Sequence, residues 1–191
     1  MAKRILAFSG SNRHGSLNQQ LLEIAAHGAV AAGAEVKTVR LADFRLPIYD
    51  GDEERESGLP AGAQALQELV AAHDGLLIAT PEHNGGYTAL LKNAIDWISR
   101  PQANGVPGTV LLAGKVAALV SASPGLLGGL RSQLGMRTVL DKLGVLVIPN
   151  AFALGTAHES FDAAGRLRDA AAHTQVLAVG TALAEVVAKL K

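Results

Sequence analysis

The 191-residue sequence predicts an α/β fold in which helices cover both faces of a five-stranded parallel sheet. Short apolar runs alternate five times with segments of helical periodicity. The runs at residues 75–80 and 115–120 are continuously apolar, as strands buried on both faces must be. Hydrophobic residues make up 49% of the chain and charged residues 18%, enough to form the core of a single domain over residues 1–191.

The predicted elements follow one another in the order expected for a doubly wound sheet. Strands are predicted at residues 5–8, 35–40, 75–80, 115–120 and 145–148, the second at a sheet edge because it alternates. Helices are predicted at residues 17–32, 61–72, 127–143 and 163–190, and also after Tyr87. Residues 43–59 are expected to form a long, mobile loop, and residues 101–114 a Pro/Gly-rich connection. The alternation suits a flavodoxin-like three-layer sandwich with strand order 2-1-3-4-5, which binds its ligand beyond the first and third strands.

The charges of the chain are balanced. Seventeen basic and seventeen acidic residues cancel, so no overall field would attract nucleic acid or an anionic membrane. On the helix after Tyr87, Lys92, Asp96 and Arg100 are spaced to form i,i+4 ion pairs on a solvated or subunit-contacting face. The charge of the chain therefore predicts neither a nucleic-acid partner nor a membrane partner.

Several further classes of protein are excluded by composition. No apolar run reaches about 18 residues and no charged leader precedes one, so neither a membrane span nor a signal peptide is predicted. The chain contains no cysteine, which excludes disulfides and thiolate nucleophiles and fits a cytoplasmic location. Its six histidines are dispersed without the spacing of metal ligands, so no metal site is predicted.

The first polar loop lies at residues 9–18, between the first strand and the first helix. Unpaired backbone N–H groups and the helix dipole favour an anion at such a position, and Arg13 adds a fork of donors that matches phosphate oxygens. Two glycines have the spacing of a nucleoside-triphosphate loop, but Ser16 stands where that motif requires Lys. The loop therefore predicts a site for a single phosphomonoester. A simpler, compatible alternative is that Ser16, at capping-box spacing from Gln19, only caps the helix.

The second polar loop lies at residues 81–86, after the most apolar strand. Pro81 ends strand pairing, and two glycines allow the backbone to approach a flat ligand closely. Asn84 offers the donor and acceptor groups that can bind the edge of a heteroaromatic ring. The alternative is an ordinary turn that leaves Glu82 and His83 in solvent.

The third loop lies at residues 121–125 and is followed by two further glycines. It is similar to the nucleophile elbow of a hydrolase, with Ser123 after a strand and before a helix. Ser121 replaces the first Gly of that motif, however, and Pro124 has no N–H to contribute to an oxyanion hole. A backbone cradle around a planar ring is the favoured interpretation, and a purely structural glycine turn is its alternative.

These segments together resemble the NADPH-dependent FMN reductase family, which includes quinone, azo-dye and chromate reductases of flavodoxin-like fold. The match lies in residues 10–18 (GSNRHGSLN), 81–100 (PEHNGGYTALLKNAIDWISR), 121–140 and 161–167. Two positions depart from the family pattern, which usually has Tyr where His83 stands and Pro-Gly where Thr88-Ala89 stand. The resemblance implies FMN and NADPH as cofactors, with flavin N5 rather than a side chain carrying the chemistry, and a homodimer or homotetramer.

The resemblance also implies the residues that bind the flavin. In the first loop these are Ser11, Arg13, Ser16, Leu17 and Asn18, which would hold the phosphate end. Pro81, Glu82, His83 and Asn84 would meet the isoalloxazine edge, and Ser121 and Gly125 would line the other side of the ring.

The predicted function is an FMN-dependent NAD(P)H oxidoreductase. It would pass hydride from NADPH to bound FMN and then electrons to a quinone-like or other small acceptor. The alternative is a flavodoxin-like electron carrier or a redox-sensing FMN-binding protein without NADPH turnover. Neutral charge argues against a carrier that depends on an acidic docking face.

Overall fold

A computed structural model describes residues 2–190 of the chain as one sheet flanked by helices. The strands along these residues are β1 (Arg4–Ser9), β2 (Glu35–Arg40), β3 (Gly75–Ala79), β4 (Glu82–His83), β5 (Gly86–Tyr87), β6 (Val116–Ala122) and β7 (Leu146–Leu154). The helices are α1 (Leu17–Ala31), α2 (Gly51–Ser57), α3 (Ala61–Ala71), α4 (Ala89–Ser99), α5 (Thr109–Leu112), α6 (Leu130–Lys142), α7 (Ala157–Ser160) and α8 (Ala170–Leu190), with a 3₁₀ helix at Leu41–Phe44.

The main sheet has the order β2-β1-β3-β6-β7 and is parallel throughout. Counting only the strands of this sheet, the order is 2-1-3-4-5, which confirms the flavodoxin-like prediction. β6 and β7 extend further than predicted. β7 continues past Pro149 because the pairing register with β6 shifts there, from Val147 opposite Ala117 to Ala151 opposite Leu119. Proline is tolerated at such an irregularity in an edge strand, where it interrupts the ladder only locally.

The core has two parts, one on each face of the sheet. Helices α1 and α8 cover one face, and α3, α4 and α6 cover the other. Helices α1 and α8 approach very closely, since a Cβ atom added at Gly180 would lie 1.7 Å from the carbonyl oxygen of Ala25. One at Gly28 would lie 2.0 Å from the carbonyl oxygen of Leu177. Glycine is therefore required at these two points of the helix pair.

Helix α8 is long and apolar enough to cross a membrane by length and composition, although the sequence predicted no span. Its buried residues, among them Val176, Leu183 and Val187, belong to the core formed with α1 and the sheet. The opposite side carries exposed polar residues such as Glu185. A helix with one apolar face packed in the core and a polar face in solvent fits a surface helix of a globular domain.

The predicted loop at residues 43–59 is wrong, because most of it is ordered by hydrogen bonds. Asp50 caps α2 by accepting from the backbone N of Asp52 at 2.8 Å, and acidic residues fill the first turn, where the helix dipole favours them. Two side chains of α4, Asn93 and Trp97, donate to the Pro47 carbonyl at 2.8 Å each. The segment is thereby held against α4.

The predicted ion pair between Arg100 and Asp96 is also wrong. Helix α4 ends at Ser99, and Arg100 is extended, so its guanidinium reaches back to Glu54 on α2 at 2.8 Å. The pKa of Glu54 is held below its usual value, chiefly by this hydrogen bond from Arg100. The predicted pair of Lys92 with Asp96 is present at 2.7 Å.

The last helix begins later than predicted, at Ala170 instead of residue 163. Asp162 accepts from two backbone N–H groups and from the Arg166 side chain, and these hydrogen bonds hold the segment after Asp162 in a tight turn. The same backbone bonds, with that of Arg166 foremost, lower the pKa of Asp162. Asp169 then accepts from the backbone N of Ala171 at 2.8 Å and starts the helix.

Candidate functional site

The three polar loops meet at the carboxyl ends of β1, β3 and β6, around a cavity of about 660 Å³. This volume lies within the range of small-molecule and cofactor sites, roughly 300–1,000 Å³. The position is the point of the sheet where strand order reverses, as expected for an open α/β fold. The lining residues are Gly10, Ser11, Asn12, Arg13, Ser16, Leu17, Asn18, Pro81, Glu82, His83, Thr88, Ala89, Leu90, Ala122, Ser123, Pro124 and His158.

Most of the sequence-predicted site residues are brought together at this cavity. Those that line it are Ser11, Arg13, Ser16, Leu17, Asn18, Pro81, Glu82 and His83. Asn84, Ser121 and Gly125 are absent from the lining. In the third loop, the intervening residues Ala122, Ser123 and Pro124 form the wall that the sequence had predicted for Ser121 and Gly125.

The first loop presents an unpaired cation beside the start of α1. Ser16 caps the helix by accepting from the backbone N of Gln19 at 3.4 Å, so the capping interpretation holds. Within residues 2–190, the exposed Arg13 guanidinium forms no hydrogen bond or ion pair with another side chain or backbone group. The loop therefore combines a capped helix N-terminus with five free donors, a set that matches an anion.

Asn18 connects the first loop to the third. Its Nδ2 donates to the Ala122 carbonyl at 2.8 Å, and its Oδ1 accepts from the Ala122 N–H at 2.9 Å. Both residues are buried, with exposed fractions of 7% and 4%. One Nδ2 hydrogen remains available for a ligand after this pairing.

The second loop is a short hairpin made by β4 and β5. Glu82 pairs with Tyr87 and His83 with Gly86, and the turn between them has positive φ at Asn84 (52°) and Gly85 (84°). Two consecutive left-handed residues are the signature of a primed hairpin turn, which favours Asn-Gly. The structure therefore uses Asn84 at the exposed tip of the hairpin rather than in the cavity.

Thr88 joins the second loop to the first, at a position where this chain departs from the family pattern. Its Oγ1 accepts from the backbone N of Leu91 at 3.2 Å and so caps α4. The same hydroxyl donates to the Gly10 carbonyl at 2.8 Å. Thr-Ala thus starts the helix and fixes the distance between the two loops.

Ser121 lies beneath the third loop and is fully buried. Its hydroxyl donates to the Gly128 carbonyl and accepts from Gln133 Nε2, both at 2.7 Å. A Cβ atom at Gly129 would come within 2.7 Å of Ser121 Cβ, so glycine is needed for this packing. The side chain is therefore committed to holding the loop, which is why it does not reach the cavity.

The described structure does not support the interpretation of Ser123 as a hydrolase nucleophile. Its Oγ accepts from the backbone N of Gly125 at 3.2 Å. Among the residues that the structure describes, no histidine ring is hydrogen-bonded to this hydroxyl, although His83 and His158 line the same cavity. A nucleophile without a positioned base does not make a catalytic pair.

Sequence reasoning missed His158, which enters the cavity from α7, and the first turn of α4 from Thr88 to Leu90. His158 Nε2 lies 3.2 Å from Glu159 Oε1, and both side chains are exposed. No local motif surrounds this histidine, and only the return of the chain after β7 brings it to the site. The first turn of α4 could have been found, because it directly follows the second loop.

Three consecutive residues of α6 hold the cavity walls from behind. Arg131 donates from Nε to Glu82 Oε1 at 2.8 Å. Ser132 Oγ donates to the Pro81 carbonyl at 2.9 Å, and Gln133 Nε2 bonds Ser121 and the Phe152 carbonyl at 2.7 Å each. One turn of helix thus fixes the second loop, the third loop and β7 relative to one another.

Comparison with known proteins gives a consistent result. Residues 3–159 match the family model described as NADPH-dependent FMN reductase. The chain is 38% identical over 169 residues to an NAD(P)H-dependent FMN reductase of Pseudomonas aeruginosa, covering 87% of this chain and 85% of that protein. It is 36% identical over 145 residues to a quinone reductase of Escherichia coli, covering 76% and 73%. Among solved structures, a flavoenzyme NAD(P)H:(acceptor) oxidoreductase of Paracoccus denitrificans has a TM-score of 0.81 at 26% identity, with 99% of each chain covered.

Proposed function

The chain belongs to the NADPH-dependent FMN reductase family, and we propose that it passes hydride from NADPH to FMN bound in the cavity, and then electrons to a quinone-like or other small acceptor. Family membership makes it an oxidoreductase that uses FMN and NAD(P)H. The observation that carries the finer proposal is the cavity itself, in which an unpaired arginine at a helix N-terminus faces a broad space between two backbone walls.

The residues of the cavity fit FMN at both of its ends. A phosphate needs cationic or N–H donors, which Arg13 and the first turn of α1 supply. A tricyclic ring needs a wide slot with few polar groups, and the slot lies between the hairpin and the segment Ala122–Pro124. Glu82 Oε2 is buried without a hydrogen-bond partner within the described residues, as expected for a wall that a ligand completes.

At the phosphate end, Arg13 is the main charge partner. Ser11 and Ser16 line the same wall and can donate their hydroxyl hydrogens to phosphate oxygens. Asn18 contributes its free Nδ2 hydrogen while its other two contacts hold Ala122. Charge-assisted bonds from a planar guanidinium fix the orientation as well as the affinity of a phosphate.

At the ring end, Pro81, Glu82 and His83 form one wall, and Ala122 with Ser123 forms the facing one. The hairpin exposes His83 at the open side of the cavity, where the family pattern has Tyr. We assign His83 to the wall that meets the flavin ring, where its difference from the family pattern would affect the choice of electron acceptor or the flavin affinity. NADPH and the acceptor use the same space in turn.

The test of this function starts from purified wild-type protein loaded with FMN. We expect a flavin spectrum that NADPH bleaches without oxygen and that a quinone restores. Arg13→Ala should weaken FMN binding by about tenfold to a hundredfold, since bonds to charged groups contribute roughly 1.5–3 kcal/mol. Arg13→Ala should leave binding of riboflavin, which has no phosphate, nearly unchanged. Equal FMN affinity of variant and wild type would refute the assignment of Arg13.

The electron-carrier alternative predicts a different kinetic result. A carrier loaded with FMN would not oxidise NADPH in the steady state when quinone is supplied. The relatives matched by this chain are named as reductases, which supports the enzyme. Absence of turnover by a fully loaded protein would contradict the proposal even if the flavin were bound.

We also propose that the protein forms a homodimer or homotetramer, and that it is a single cytoplasmic domain. Four exposed leucines, Leu126, Leu127, Leu130 and Leu134, continue from the third loop along the start of α6. Contiguous exposed apolar residues beside a site mark interaction surfaces. Light scattering of wild type and of Leu134→Glu tests this, and a mass equal to one chain in both would contradict it.

A further inference from the structure

The ion pair between Glu82 and Arg131 is placed unusually for a surface pair. The Glu82 side chain is 7% exposed and lines the cavity, whereas the Arg131 side chain is 59% exposed and lies outside the lining. Arg131 Nε and Nη2 both donate to Glu82 Oε1. Glu82 Oε2 remains buried and without a partner in the described structure. One carboxylate oxygen therefore accepts from the arginine, while the other is buried without a partner.

The guanidinium is held in place by its surroundings. It lies over the tip of the hairpin, since a Cβ atom at Gly85 would be 4.0 Å from Arg131 Nε. The next residue, Ser132, is buried and bonded to the Pro81 carbonyl, so the backbone that carries Arg131 is fixed against the same loop. The backbone that carries Arg131 is thus fixed relative to the loop that carries Glu82.

This geometry has an electrostatic consequence for a redox cofactor in the cavity. A hydride brings two electrons and one proton, so the ring system gains one negative charge unless a further proton follows. A bare buried carboxylate beside it opposes that charge, and a cation paired with the carboxylate reduces this opposition. The Glu82 side chain is 7% exposed, so its charge is screened less than that of a carboxylate at an open surface.

We propose that Arg131 is a positioning residue that sets the reduction potential of the bound flavin by neutralising Glu82, an inference that rests on the proposed function. Arg131 acts without touching the cofactor. The two members of the pair then have effects of opposite sign. Loss of the cation leaves the carboxylate charge uncompensated and makes reduction harder, whereas loss of the carboxylate removes the negative charge beside the flavin and makes reduction easier.

The test measures the two-electron midpoint potential of FMN-loaded protein against a reference dye under anaerobic conditions. Arg131→Gln should lower the potential by about 30 mV, which corresponds to a tenfold change in the relative affinity for reduced and oxidised flavin. Glu82→Gln should raise it by a similar amount. Arg131→Lys should fall between Arg131→Gln and wild type, since lysine keeps the charge but loses the fork.

A double variant separates this proposal from a structural role. In the Glu82→Gln background, the change Arg131→Gln should leave the potential almost unshifted. Arg55→Gln, which removes an exposed arginine from a surface pair with Asp52, is the matched control and should change nothing. Should Arg131→Gln fail to fold, Arg131→Lys and Glu82→Gln still give the two opposite signs.

Shifts of the same sign, no shift, or a full effect of Arg131→Gln without Glu82 would each overturn the proposal. A merely structural pair would lower stability in both variants and move both potentials together or not at all. If wild type turns over NADPH and quinone normally while the potentials stay fixed, only this inference fails. Absence of flavin uptake by wild type would overturn the proposed function and this inference together.

Discussion

Replacing Asn18 with alanine is the most direct test of how the cavity is built. The change removes two hydrogen bonds, of 2.8 and 2.9 Å, and leaves the N–H and C=O of Ala122 without those partners. Ala122 is 4% exposed, so water cannot readily replace them. An unsatisfied buried group costs about 1–3 kcal/mol, so we expect a loss of roughly 2–4 kcal/mol in the free energy of unfolding.

The assay is urea unfolding of the flavin-free protein, followed by FMN titration of the folded variant. For a chain of this length the loss corresponds to about 5–15 °C in melting temperature. Gln19→Ala is the control, because the hydrogen bond that its side chain forms in the described structure is an exposed one to Glu23, one turn along the same helix. A loss below about 0.5 kcal/mol, comparable with that control, would refute the view that Asn18 fixes the first loop to the third.

Three further predictions concern the framework. Glu54→Gln should destabilise the protein by at most about 1 kcal/mol at neutral pH. Because Arg100 lowers the pKa of Glu54 in the fold, the stabilisation that the ionised Glu54 provides is present above the usual pKa of 4.5 and disappears as pH falls through the lowered pKa. The urea midpoints of variant and wild type should therefore converge in acid. Gly180→Ala should destabilise by roughly 1–3 kcal/mol in the same assay, despite alanine's higher helix propensity, since the added Cβ meets the Ala25 carbonyl oxygen at 1.7 Å; a rise in stability would contradict the packing. Gln67→Ala should cost about 1–3 kcal/mol, because its Nε2 donates to three carbonyls at the end of α4, and an unchanged melting curve would argue against that role.

The sheet could be predicted from the sequence because its strands are local signals. Continuous apolar runs at β3 and β6 indicate strands that are buried on both faces. The alternation of apolar and polar residues at β2 indicates a strand at the edge of the sheet. The cavity could be located for the same reason, since the polar loops directly follow those strands. Eight of the eleven residues predicted to bind the cofactor line it.

The errors arose where partners distant in sequence decide the structure. Residues 43–59 are polar and rich in turn formers, yet side chains of α4 provide the hydrogen bonds that order them. Within the loops, the sequence did not reveal which side chains turn inward. The turn geometry of the hairpin places Asn84 at its tip. The Ser121 hydroxyl donates to the Gly128 carbonyl, and this hydrogen bond keeps the side chain beneath the loop.

The row of contacts from Arg131 to Gln133 also constrains how the length of this chain can change. Successive residues of an α-helix differ by about 100° in direction, so one residue inserted between Gly129 and Arg131 would turn all three side chains away from their partners. Both cavity walls would lose their support in a single step. Insertions and deletions should therefore be tolerated in the exposed connection at residues 101–107, and rejected at the start of α6.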